Sequence, residues 1–292
     1  MKIGLGTVQF GLDYGLNNSF GKMPEEECAE VFHLAKKNYI SFIDTAYGYG
    51  DAHSIIGRNT LLSDDWKIVT KISITKGDYI SSEDQLAFKS LFDNSLEEMR
   101  RESIHALLFH NEKDLFKPGV EKIIEELKIL KDKGIIKKIG VSLYDISLIE
   151  KLMNLNFIDL VQVPINILDQ RLIFSGLLEK LNKNGIEIHA RSIFLQGLLL
   201  QNPIKIDSYF KPIQEKLIKL NKEAKNRGIT VLELLLGFIN GLSSIDVAII
   251  GVNNAIQLDE IIKSNGKDIN PKELSYLSVT DERYINPSKW KN

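Results

Sequence analysis

Four residues of this chain have side chains suited to moving a proton, Asp44, Tyr49, Lys71 and His110, and each lies at the end of an apolar run or just after one. The run over 40–43 stops at Asp44 and passes into a turn rich in glycine and tyrosine that carries Tyr49; the run over 67–72 carries Lys71; the run over 104–109 is ended by His110. The chemistry such a set supports is donation of a proton by a phenol. Tyrosine ionises near pH 10, which makes it a weak acid at neutral pH. A lysine ammonium about 4 Å away, at an effective dielectric near 20, favours the phenolate by roughly 4 kcal/mol as an upper bound. An aspartate paired with that lysine holds it charged and in place while cancelling part of the effect. A histidine at the same mouth can hydrogen-bond a carbonyl and turn it toward the phenol. Taken alone, each residue also has a structural reading: Asp44 as a helix cap, Lys71 as a paired or snorkelling lysine, His110 as a satisfied histidine and Tyr49 as a loop aromatic.

The elements that must position these residues follow from the pattern of apolar runs. Short strands are expected over 2–7, 40–43, 67–72, 104–109, 135–141, 159–163, 186–190 and 246–250. Helices are expected between them. The one after Pro24 opens with Glu25, Glu26 and Glu27 and has an apolar face of Ala29, Val31, Phe32 and Ala35. Others are expected over 53–62, 82–101 with Leu86, Leu91, Leu96 and Met99 inward, 118–133, 145–155, 170–184, 213–226, 231–240 and 255–264. Residues 9–22 read as loop, and 271–292 as a weakly periodic tail in which Tyr284 and Trp290 reach the site, pack on the core or lie in a disordered segment. Eight strands alternating with helices predict an α/β protein, a closed (β/α)8 TIM barrel in a single domain over 1–292; an open doubly wound sheet is the alternative. In such a barrel the working residues gather where the strands end, here Thr7, Asp44, Lys71, His110, Ser142, Gln162, Arg191, Ser192 and Gly251.

Composition bounds the function. The 292 residues carry 37 Lys and Arg against 39 Asp and Glu, a net charge of -2, with neither sign blocked along the chain, so there is no electrostatic footprint for nucleic acid or an anionic membrane. The single cysteine, Cys28, excludes an internal disulfide, and no Cys/His cluster has metal-ligand spacing. No long apolar stretch reads as a leader or membrane span, and the expectation is a cytoplasmic protein acting on a small molecule.

The segment Asp44-Thr45-Ala46-x-x-Tyr49-Gly50, continued to Gly57, resembles the signature of the aldo-keto reductase superfamily. Val69-Thr70-Lys71, Leu107-Leu108-Phe109-His110, Ile139-Gly140-Val141-Ser142 and Val161-Gln162-Val163-Pro164-Ile165-Asn166 resemble its later motifs in the same order. The resemblance covers essentially the whole chain. It implies a (β/α)8 barrel that binds a nicotinamide cofactor without a Rossmann fold, in keeping with the lack of a Gly-x-Gly-x-x-Gly after a strand. It further implies reduction of an aldehyde or ketone, with Tyr49 as general acid, Lys71 and Asp44 as its tuners and His110 as the orienting group. Gly6, Thr7, Val8 and Asp44 would pass beside the cofactor, and Ser142 and Gln162 would hold its carboxamide. Arg191, Ser192, Phe194, Gln196 and Gly197 would cover the pyrophosphate, with Gly251, Asn253, Gln257 and Glu260 at the adenosine end.

The departures from the family pattern carry their own expectations. Leu143 replaces a carboxamide-binding Asn, and His53 a usual Glu. Arg191 stands where many members stack a Tyr on the nicotinamide, and its guanidinium could stack there or attract an anionic substrate. Gly251, Val252 and Gln257 replace the Lys, Ser and Arg that often grip the 2′-phosphate of NADP, so NADP(H) is favoured over NAD(H) by family habit alone. Two other readings compete with carbonyl reduction: a cofactor-binding sensor or scaffold without activity, and a lyase with Lys71 as Schiff-base nucleophile.

Overall fold

In a computed structural model, which describes residues 2–16, 18, 21–75 and 77–290, eight parallel strands close into a barrel in chain order. They are β1 (Lys2–Gly6), β2 (Phe42–Asp44), β3 (Lys67–Ile72), β4 (Ile104–Phe109), β5 (Ile136–Ser142), β6 (Leu160–Pro164), β7 (Glu187–Arg191) and β8 (Val247–Gly251). Register is set at the top of the barrel, where Gly6 pairs both Asp44 and Gly251, and Ser142 pairs Gln162. Successive strand residues point to opposite sides, so residues two apart share the interior. The apolar middle of the barrel is built this way from two small clusters: Val69, Ala106, Leu108 and Leu160, and Phe42, Val247 and Ile249. Two residues further along the same strands stand Asp44, Lys71, His110, Gln162 and Gly251. The outward residues, among them Leu5, Ile43, Ile68, Leu107, Val141 and Val161, join the much larger core between strands and helices. Among the described residues no helix is long and apolar enough to cross a membrane.

The helical layer departs from expectation in several places. Residues 9–22 are not all loop, because Val8–Gly11 forms one helical turn; positions 17, 19 and 20 lie outside the described residues. The helix Ser82–Met99 buries Phe88, Phe92, Ser95 and Met99, while Leu86 is 72% exposed; the aromatic rings give the deeper stripe and rotate Leu86 out of it. Ala29 is likewise exposed, and Cys28 takes its place on the buried face of Glu25–Lys37. The helix expected over 145–155 is a 3-10 turn followed by Ile149–Met153. That over 170–184 is split into Arg171–Phe174 and Leu177–Lys183 by Gly176, whose φ of 70° no continuous helix accommodates. The tail contains short helical segments, Pro271–Leu277, Glu282–Ile285 and Pro287–Lys289. Tyr284 and Trp290 pack against Tyr209 and Phe210 rather than reaching the strand ends.

Two local devices hold the strand ends in place. Gly11 lies so close to the loop after β2 that a Cβ on it would stand 1.6 Å from the Tyr49 carbonyl oxygen and 2.9 Å from the Ala52 nitrogen. Gly50, at φ 58°, faces the Gly11 carbonyl in return. The two loops therefore meet backbone against backbone. At the opposite end of the barrel Glu187 accepts from His189 at 2.6 Å and from His105 at 3.1 Å and is paired with Lys138. The two imidazoles each stand edge-on to Phe42 at 5.4 Å. Burial works to raise the Glu187 carboxyl, but hydrogen bonds from His105, His189 and Lys138 outweigh it and hold the group well below the usual carboxylate range.

Gly11→Ala is expected to lower stability by about 1–3 kcal/mol in urea denaturation, because backbone rather than a mobile side chain must yield. Glu187→Gln should cost about 2 kcal/mol near neutral pH. A carboxylate whose folded pKa is depressed stabilises the fold above its unfolded pKa of about 4.3, and that contribution is lost as pH falls toward the folded value. The gap between Glu187→Gln and the parent protein, followed by thermal melts against pH, should therefore be full above about pH 5 and shrink below about pH 4.

Candidate active site

Asp44 ends β2 and Lys71 lies near the end of β3, so neighbouring strands bring the two side chains together inside the barrel mouth. The Lys71 ammonium donates to both carboxylate oxygens of Asp44 and to the Thr45 carbonyl, each at 2.8 Å. Lys71 is 1% exposed and Asp44 4%. From across the barrel the Gln162 amide donates to Asp44 Oδ1 at 2.6 Å, and from β1 the Thr7 hydroxyl and backbone N–H both donate to the Asp44 backbone carbonyl at 3.0 Å. Asp44 is thus an ion-pair partner inside the barrel rather than a helix cap. Burial lowers the Lys71 pKa, and the charge and hydrogen bonds of Asp44 oppose it.

Above this pair the Tyr49 ring stands with its centroid 5.1 Å from Lys71 Nζ and 6.0 Å from the His110 ring, edge to face. Lysine was expected to draw the phenol toward ionisation. In the structure burial, and then the charge of Asp44, push Tyr49 upward, with Arg191 acting against them. The ammonium's charge is met by a carboxylate at contact distance and does not offset the upward push on the phenol. Burial and the Lys71 charge bring His110 down to about 4, so its imidazole is neutral at physiological pH. His53, also brought down to about 4 by burial first, lies beneath the site, its Nε2 2.9 Å from the Thr70 hydroxyl.

These groups open into a cavity of about 400 Å³, a volume suited to a bound small molecule. Asp44, Tyr49 and His110 line it, together with Gly6, Thr7, Val8, Ser142, Gln162, Arg191, Ser192, Phe194, Gln196, Gly197, Gly251, Asn253, Gln257 and Glu260. Lys71 alone of the expected residues does not, being enclosed behind Asp44. The loop after β7 is tightly wound, with Ser192, Leu195, Gln196 and Gly197 all at positive φ, a backbone form that presents N–H groups to one side and gathers at ligand sites. Among the described residues no group of three His, Cys, Asp or Glu side chains could hold a metal ion.

Tyr14 and Tyr144 also line the cavity and were not anticipated. The Arg191 guanidinium stands over the face of the Tyr144 ring, its central carbon 3.8 Å from the centroid. Arg191 donates to the Leu143 carbonyl at 2.8 Å and to the Ser192 hydroxyl at 3.2 Å. The residue in the unusual Leu143 position therefore contributes its backbone, while its side chain is wholly buried. Tyr14 is pushed up to about 12 by burial and by Tyr144, and accepts from the Gln196 amide at 2.9 Å. The sequence signal for both was weak, since Tyr14 lies in a glycine-rich loop and Tyr144 two residues past a strand.

The model of the aldo/keto reductase family matches residues 2–281. The aldo-keto reductase YhdN of Bacillus subtilis (strain 168) is 24% identical over 308 residues, spanning 97% of this chain and 91% of that protein. The holo form of aldo-keto reductase AKR11C1 from Bacillus halodurans superposes with a TM-score of 0.76 at 15% identity, covering 99% of this chain and 95% of that one. An aldo-keto reductase from Klebsiella pneumoniae in complex with NADPH does so at 0.70 and 20%, over 99% and 93%. At these identities the solved structures establish the fold, and the family match over nearly the whole length establishes kinship. The chain belongs to the aldo/keto reductase family and is an NAD(P)-dependent oxidoreductase.

Proposed function

We propose that this protein reduces an aldehyde or ketone to the alcohol, with Tyr49 delivering the proton. The observation that carries this reading is the meeting, in one cavity, of a protonated phenol, a neutral imidazole and a buried lysine–aspartate pair. The residues fit a nicotinamide dinucleotide. The buried atoms Gln9 Oε1 and Asn253 Oδ1 lack a hydrogen-bond partner within the described residues, and both side chains line the cavity. When bound, the cofactor supplies the hydride. Ser142 and Gln162 would hold the carboxamide, the wound loop after β7 would cover the pyrophosphate, and the segment from Gly251 to Glu260 would meet the adenosine.

The protein's own groups divide the remaining work. Tyr49 keeps its proton in the buried cavity, so it is loaded as the acid before substrate arrives. Lys71, held on three oxygens, keeps one position beneath the ring and fixes the Asp44 carboxylate there. His110, neutral, donates a hydrogen bond to the carbonyl and orients it instead of competing as the acid. The same three bonds on Lys71, and its enclosure, count against a Schiff-base lyase, since a nucleophilic amine needs a free lone pair and access. A buried free Cys28 suits work in the cytoplasm.

Arg191 supports a narrower substrate class. Among the described residues lining the cavity it is the only Lys or Arg, and no carboxylate stands within ion-pair distance of it. With Asp44 and Lys71 cancelling, the reacting end carries a net positive charge. An anionic carbonyl compound, such as a sugar acid or phosphate, is the substrate this favours.

Tyr49→Phe should lower kcat by about 10²–10⁴-fold while the dinucleotide Kd from fluorescence quenching stays nearly constant; retained turnover sinks the mechanism. Arg191→Ala should lower kcat/KM for anionic carbonyls about tenfold or more beyond its effect on neutral ones, measured in parallel progress curves. Equal losses remove the anionic preference and leave carbonyl reduction standing.

A further inference from the structure

We infer that the cavity selects the dinucleotide lacking a 2′-phosphate, NAD(H), and that Glu260 is a specificity-determining residue. The inference rests on the reading that a nicotinamide dinucleotide lies with its reacting end against Tyr49. The cavity runs from the barrel mouth across the end of β8 to the helix Ala255–Ser264, where Gln257, Glu260 and Ile261 line it. With the reacting ring fixed by Tyr49 and His110, the second nucleoside falls at this outer end.

The charges there are set against a phosphate. No Lys or Arg lines that end, and Glu260 does. A second carboxylate, Glu27, reaches over from the helix Glu25–Lys37 and accepts the Ala255 backbone N–H at 2.6 Å. A helix start of this kind would otherwise offer its N–H groups and positive dipole end to an anion. Here Glu27 has taken the first of them, the Asn254 side chain accepts the Gln257 N–H at 2.8 Å, and Gln257 Oε1 accepts the Asn253 N–H at 2.9 Å. A 2′-phosphate would meet the Glu260 carboxylate and a helix start whose first N–H is already taken by Glu27. A ribose with its 2′-hydroxyl free meets an acceptor, and a carboxylate that receives a ribose hydroxyl is the standard way a protein prefers the unphosphorylated dinucleotide. Glu260 is exposed and makes no hydrogen bond or ion pair within the described residues, so it is free for that contact.

The test is equilibrium binding of NADH and NADPH to the full chain, read by isothermal titration calorimetry, with no substrate present. NADH is expected to bind about tenfold or more tightly, the order set by a phosphate facing one carboxylate partly screened by solvent with no cation lining that end. Glu260→Gln should weaken NADH and bring the two Kd values toward each other, and Gln257→Arg should tighten NADPH. Equal or tighter binding of NADPH by the parent protein, or an unchanged ratio in Glu260→Gln, overturns the inference while leaving carbonyl reduction intact. Binding of neither dinucleotide, together with no carbonyl turnover, removes the functional reading and the selectivity with it.

Discussion

Lys71 and Asp44 form an ion pair sealed inside the barrel, and the geometry of the strand ends depends on it. Two charges removed from water are costly, and the cost is met only where hydrogen bonds complete both shells. Here they do: the ammonium has three oxygens, and the carboxylate receives Gln162 as well as Lys71. Because the partners come from β2, β3 and β6, the pair reports on barrel closure. A slip of one residue in any of these strands would turn its polar residue outward and leave the other charge buried alone.

The same compensation sets the electrostatics of the cavity. Asp44 offsets the Lys71 charge, burial and then Asp44 push the phenol of Tyr49 upward, and Arg191 is the lining cation with no carboxylate beside it among the described residues. The outer end has the opposite sign through Glu260. The cavity is therefore polarised along its length, positive where the reacting groups stand and negative where the adenosine would lie. The barrel itself repeats the arrangement: a polar network at its base around Glu187, an apolar middle, and the Asp44–Lys71 network at the top.

Arg191 shows how a departure from a family pattern acquires a physical reading. The residue is unremarkable in the chain, one of several strand-end polar groups. Its role follows from Tyr144, whose face supports the guanidinium, and from Leu143 and Ser192, whose oxygens orient it. A side chain held on three sides would lose little rotamer entropy on meeting an anion, as the proposed substrate preference requires.

Much of this was legible in residue order. Eight apolar runs alternating with amphipathic segments carried the closed barrel, since short buried strands and 3.6-residue periodicity are local properties, and the polar residues at the run ends, Lys71 apart, fall on the cavity lining. What residue order could not carry is anything that depends on distance between strands. Leu86 has the right spacing for burial, yet Phe88 and Phe92 win the buried face because larger rings fill the gap between helices. Lys71 and Tyr49 are neighbours, but the phenol is pushed upward by its burial first and by the Asp44 charge second, and both depend on the closed barrel. Tyr14, Tyr144 and the reach of Glu27 to Ala255 lie on separate segments with no common spacing. Charges act through space at contact range, and the chain brings those groups into contact only when the barrel closes.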